Sequence, residues 1–284
     1  MTDLSVRNGE LTLAASVYGN PGNPDMMLIH GLSGCRDTWE EAVARLVDRY
    51  RVWTLDLHGH GHSDRSDDYG IAGFVADAGS LLDVIGRPTV VVGHSLGAVV
   101  AGVLGQQPHP LVRAVFLEDP PWYLGEPQEW DKGLYKVIFP MIRAQQVEMQ
   151  SRSAPLDEWV RAVGSAPSPK GGTADEHVLP RHVLSSASAR MRHDPAAWDA
   201  SIEQTMLDGL RVDDPIRVPV TVIQADPALG PAFMPGHDER FLATNPEATI
   251  VRYDGATHLV HAGGEHAERF LDDLDAFVTA HAAR

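Results

Sequence analysis

The sequence predicts an α/β fold, with a mostly parallel central sheet, helices on both faces and a helical insertion. Three observations predict it. Short β-rich runs alternate with helical patterns near both ends of the chain, the rhythm of strand–helix–strand units. The run TVVV at 89–92 is apolar on both faces, as strands in the middle of a parallel sheet are. From about residue 120 to 215, helical patterns and loops continue without a convincing strand, which interrupts the rhythm.

In chain order, residues 11–18 and 26–30 read as strands, the second ending at His30-Gly31. Residues 51–57 form a third, with apolar Val52, Trp53, Leu55 and Leu57. The buried run at 89–92 is followed by strand patterns at 112–117, 218–224 and 249–253. Helical patterns fall between them at 38–48, 73–85 and 96–107, with a terminal helix from about 265 to 281. Within the insertion, Asp194-Pro195 makes a helix start, an acidic cap before proline at the first helical position, and Gly209 a stop. Residues 164–173 (GSAPSPKGGT) read as a flexible connector. The division expected is a core in two parts, 1–119 and 216–284, with a helical cap at 120–215.

At 284 residues the chain can bury a sizeable core without staples, and its 43% hydrophobic content is ordinary for a globular protein. The lone Cys35 has no internal disulfide partner. The first residues lack the basic start and apolar run of a signal peptide, and no stretch approaches a membrane span, so the cytoplasm is the expected location. The formal charge of −16 argues against nucleic acid or an anionic membrane as partner, although a local basic patch could hold a small acid. Oligomeric state stays open.

Gly93-His94-Ser95-Leu96-Gly97 follows the buried strand and precedes a helix, matching G-x-S-x-G in its strand–turn–helix context. Ser95 would sit on a sharp turn that lifts its hydroxyl clear of the sheet, with the helix aiming its first amides at developing negative charge. His30-Gly31-Leu32-Ser33-Gly34, ending an earlier strand, would supply the other half of an oxyanion site. The Leu32 and Leu96 amides are the expected donors.

With these motifs in this order the chain resembles the α/β-hydrolase superfamily. The segment from Asp56 through His58, His60 and His62 to Asp64 and the run Gly255-Ala256-Thr257-His258 are further matches. The resemblance covers roughly residues 10–118 and 216–280 and implies an α/β-hydrolase fold; substrate does not follow from it. A serine hydroxyl needs a base, and the resemblance puts that role on His258, after the last strand, with His261 a fallback. For the acid, Asp226 is preferred, since it ends a strand beyond the insertion. Asp119, ending the strand VRAVFL at Glu118-Asp119-Pro120, is the alternative.

The alternating His58, His60 and His62 lack a convincing partner set for a metal, and they read as a glycine-rich turn. Cys35 reads as a packed thiol. Large side chains in the insertion, such as Trp130, Tyr135, Phe139, Trp159 and Trp198, would give an apolar pocket over Ser95. The function expected is hydrolysis of a carboxylic ester, with lactones and aromatic half-esters included, through an acyl-enzyme and without cofactor or metal. A carbon–carbon bond hydrolase and a non-turnover small-molecule receptor are the alternatives. Haloalkane dehalogenase and epoxide hydrolase chemistry on this fold would need an aspartate in place of Ser95.

Overall fold

The computed structural model describes residues 1–107 and 109–282. Eight strands form one sheet in the order β1-β2-β4-β3-β5-β6-β7-β8. They are β1 (Thr2–Asn8), β2 (Leu11–Tyr18), β3 (Asp25–Ile29), β4 (Arg51–Leu55), β5 (Thr89–His94), β6 (Val112–Glu118), β7 (Val220–Gln224) and β8 (Thr249–Arg252). The pairs β1/β2 and β2/β4 are antiparallel, and every pair from β4 through β8 is parallel. The expected mostly parallel α/β architecture is what forms.

The middle strands explain the order. Every residue of β3, β5 and β7 is buried, so each needs cover on both faces. On one face lie α2 (Ile71–Ile85) and α3 (Leu96–Gln106), whose Phe74, Leu81, Val99 and Leu104 join a core with Met27, Ile29 and Val91. On the other lie α1 (Glu40–Leu46) and the terminal helix, where Leu46, Phe270, Leu274 and Val278 meet Met26, Leu28, Val90 and Val92. Each fully buried aliphatic side chain of this kind contributes roughly 1.5–3 kcal/mol of transfer free energy.

Between β6 and β7 come five helices: α4 (Pro127–Lys132), α5 (Tyr135–Ser151), α6 (Leu156–Gly164), α7 (Pro180–Arg192) and α8 (Pro195–Ile202). Three of them share a small core of their own, with Met149, Trp159, Val163, Val183 and Ala187. Asp194 caps α8 as expected, accepting from the Ala196 amide at 3.0 Å. The helix ends at Ile202 rather than Gly209. Thr205 and Met206 turn back to hydrogen-bond the Ala200 carbonyl, so tertiary packing stops the helix before the glycine does. Beyond β7 follow α9 (His237–Thr244) and α10 (Ala267–His281). Among the described residues no helix is long and apolar enough to cross a membrane.

Candidate active site

Ser95 stands between β5 and α3 with φ +53° and ψ −118°, a conformation that non-glycine residues rarely hold. The flanking glycines make the turn feasible. A Cβ on Gly93 would collide with the Gly97 carbonyl, and one on Gly97 with the Ile29 carbonyl of β3. The Ser95 amide is fixed on the Glu118 carbonyl at 2.9 Å, and the Ser95 side chain makes no capping hydrogen bond to the first amides of α3. The turn after β3 comes equally close. A Cβ on Gly31 would lie 3.0 Å from Ser95 Cβ, and Ser33 takes φ +61° to close the loop. Leu32, Ser95 and Leu96 therefore line one cavity wall together.

His258 donates from Nδ1 to the Asp119 carboxylate at 2.6 Å, which leaves Nε2 free to accept a proton. Asp119 is fully buried at the end of β6 with φ +42°. Its carboxylate also accepts from the amides of Ala232 (2.7 Å), Phe233 (3.2 Å) and Ala225 (3.4 Å), so the loop after β7 is wrapped around it.

The preference for Asp226 is corrected by this geometry. Asp226 caps the short helix Pro227–Leu229 by accepting from Ala228 at 2.8 Å, and it accepts from the Gly255 amide at 2.6 Å. Those two amides lower its carboxyl pKa and occupy its oxygens. It braces the turn ahead of His258 rather than touching the ring.

Beneath the His258 loop lies a second pair, in which His261, the fallback base, is bonded to Glu118, a partner that sequence reasoning did not single out. Glu118 accepts from the His261 amide (2.9 Å) and from its Nδ1 (2.7 Å), while His94 donates from Nε2 to the His258 carbonyl at 3.1 Å. Burial raises Glu118 to about 7 and lowers His261 to about 3, favouring the neutral form of each. His94, Glu118 and His261 lie within 4.8 Å of one another, a spacing compatible with a metal ion. Both Glu118 oxygens are already engaged by His261.

The histidines of the 58–62 turn go separate ways. His58 donates from Nδ1 to Asp77 at 2.6 Å, His60 from Nδ1 to the His58 carbonyl at 2.9 Å, and the His62 amide to Asp56 at 2.9 Å. Gly59 and Gly61 supply the positive φ that this turn demands. Cys35 is buried, and burial pushes its thiol up to about 12, far from a reactive thiolate.

Ser95 opens on two lobes. A narrow one of about 50 Å³ is walled by Leu124, Trp130, Phe139, Met206 and Leu207. A wider one of about 300 Å³ contains Ser95 and His258 and extends under α5 and α7. Such a site presents a hydroxyl, a base oriented by a buried carboxylate and two neighbouring backbone turns to any carbonyl placed between them.

The sequence model described as the alpha/beta hydrolase family matches residues 26–273. The pimeloyl-[acyl-carrier protein] methyl ester esterase of Methylococcus capsulatus is 42% identical over 78 residues, 28% of this chain and 30% of that one. The chain thus matches less than a third of that relative's length. Among solved structures, a putative aryl esterase from Burkholderia cenocepacia superposes with TM-score 0.71 at 21% identity, covering 99% of each chain. The enol-lactonase from Burkholderia xenovorans LB400 gives 0.69 at 21%, covering 97% of this chain and all of that one. These superpositions speak to the fold, and with the family match over most of the chain they identify the protein as a member of the alpha/beta hydrolase family.

Proposed function

We propose that the chain is a serine hydrolase of carboxylic esters, lactones included, that works through an acyl-enzyme on Ser95. One observation carries the reading: a histidine bonded at 2.6 Å to a fully buried aspartate faces the same cavity as a serine on a strained turn. In the proposed cycle Ser95 Oγ attacks the carbonyl carbon while His258 Nε2 takes its proton. Asp119 holds the imidazole tautomer and balances the cation that forms. The amides of Leu32 and Leu96 receive the oxyanion, an interaction worth several kcal/mol in a water-poor site. Collapse expels the alcohol, which His258 protonates. Water then repeats the sequence to release the acid, so the reaction consumes only ester and water. The helices α4–α8 act as the cap, with α5 and α7 roofing the wide lobe. Relatives named as esterase and lactonase support the reaction class.

The test is steady-state hydrolysis of phenyl and naphthyl esters by the purified chain. Many turnovers per molecule are expected, with a loss on the order of 10⁴-fold or more in Ser95→Ala. Saturable ligand binding with no turnover would instead identify a receptor.

A further inference from the structure

The wide lobe contains one group that ester hydrolysis alone does not require. His182, Ser186 and Arg190 occur at intervals of four along α7, so they form one stripe, and all three line the lobe together with Ser95 and His258. Among the described residues the Arg190 guanidinium forms no ion pair and no hydrogen bond. The Arg190 backbone carbonyl accepts from Gln150 Nε2 at 3.2 Å. Burial lowers the guanidinium to about 10, which leaves it cationic at neutral pH.

Its neighbours do not compensate the charge. His182 donates from Nδ1 to the Thr38 carbonyl at 3.3 Å, and burial holds it near 3, so it is neutral. His193 is likewise neutral, buried and bonded to Gln146. A half-buried cation that lines a cavity without a counter-ion is a ready partner for an anionic group of a ligand. The general surface offers no reason for it, since the chain carries a formal charge of −16. The lobe wall is mixed: Leu134, Ile138, Phe139 and Ile142 of α5 are apolar, Thr38, Ser168 and His177 are polar, and among the described residues that line it none is a carboxylate.

We propose that Arg190 anchors a carboxylate carried by the substrate, so that the ester presented to Ser95 belongs to a molecule with a free acid at its far end. The inference rests on Ser95 being the nucleophile and narrows the substrate to acidic esters, of which half-esters of dicarboxylic acids are the simplest. A planar guanidinium suits a carboxylate because it donates two parallel hydrogen bonds.

The experiment compares kcat/KM within matched pairs: monophenyl glutarate against phenyl pentanoate, and 4-acetoxybenzoate against phenyl acetate. The first pair places the acid on the acyl side and the second on the alcohol side. The wild-type protein is expected to favour the acidic member of at least one pair by about 10- to 100-fold. In Arg190→Ala that ratio should fall to near one, and Arg190→Lys should recover part of it. Because a ratio is read, activity lost equally by both substrates cancels. No preference in the wild type, or a preference that survives Arg190→Ala, overturns the proposal. If no ester is turned over, the nucleophile reading has failed and the anchor is tested without turnover, by calorimetric titration of glutarate and 4-hydroxybenzoate. Binding of either that disappears in Arg190→Ala supports the anchor, and absence of binding to the wild type overturns it.

Discussion

Asp119 holds φ +42°, and Ser95 and Ser33 hold φ +53° and +61°: three non-glycine residues at positive φ, two of them lining the wide lobe and the third buried behind His258. Such geometry costs of order 1–3 kcal/mol per residue and persists only where the surroundings over-determine it. For Asp119 the surroundings are three amides and the His258 ring. Asp119→Asn is therefore expected to lower kcat by about 10³- to 10⁴-fold, because an amide cannot hold the imidazole in the same tautomer. Asp226→Asn, measured alongside, should stay within about tenfold of wild type, since it alters a turn brace. Equal losses in the two variants would contradict the assignment. The chain itself nominates Ser95 and His258 for the proposed site, because a local motif marks the serine and position after the last strand marks the histidine. The acid was not readable. Its partner lies 139 residues away, and two aspartates each end a strand ahead of a proline. Only the wrapping of residues 225–233 around Asp119 separates them. Arg190 left no local signal either, since its meaning depends on having no partner.

At the scale of elements, the glycines of the serine turn act through contact between strands and helix. Gly97→Ala would push a methyl into the Ile29 carbonyl, a backbone atom that cannot swing away, and should destabilise the protein by roughly 3 kcal/mol or prevent folding. Gly79, inside α2, has open space where its Cβ would be. Gly79→Ala should therefore stabilise by about 0.5–1 kcal/mol in urea titrations, through helix propensity alone. A destabilised Gly79→Ala would show that α2 is held in a way these contacts do not describe. The buried strands were legible to within a residue or two because their apolar runs are continuous. β1 was not, since its alternate residues are exposed and it reads as polar. The Gly9-Glu10 pair is the signal that could have found it: β1 and β2 register with Asn8 opposite Leu11 across this two-residue turn, with Gly9 at positive φ in its first place.

For the molecule as a whole, burial of histidines sets the response to acid. His30, His60 and His94 are pushed below their ordinary value by burial, and His182, His193 and His261 are held at about 3. In the unfolded chain each would take a proton near pH 6.5, so between that pH and 3 the unfolded state binds more protons and stability falls as pH falls. Glu118 opposes this, being raised to about 7: its contribution is full below about 4.5 and lost as pH rises through 7. One carboxyl stands against these six imidazoles and that of His237, which burial also lowers. The unfolding free energy in urea should thus drop by more than about 2 kcal/mol from pH 7 to 4, and a flat profile would contradict the buried neutral histidines. Folding is also what brings Ser95, His258 and Asp119 together from the ends of β5 and β6 and the loop after β8. The most direct test of that assembly is labelling with a fluorophosphonate, followed by peptide mapping, on the native and the urea-unfolded chain. The native protein should take up one label, on Ser95, with none in Ser95→Ala, in His258→Ala on the same timescale, or in urea. A native protein that stays unlabelled, or whose label maps to another residue, would contradict the account.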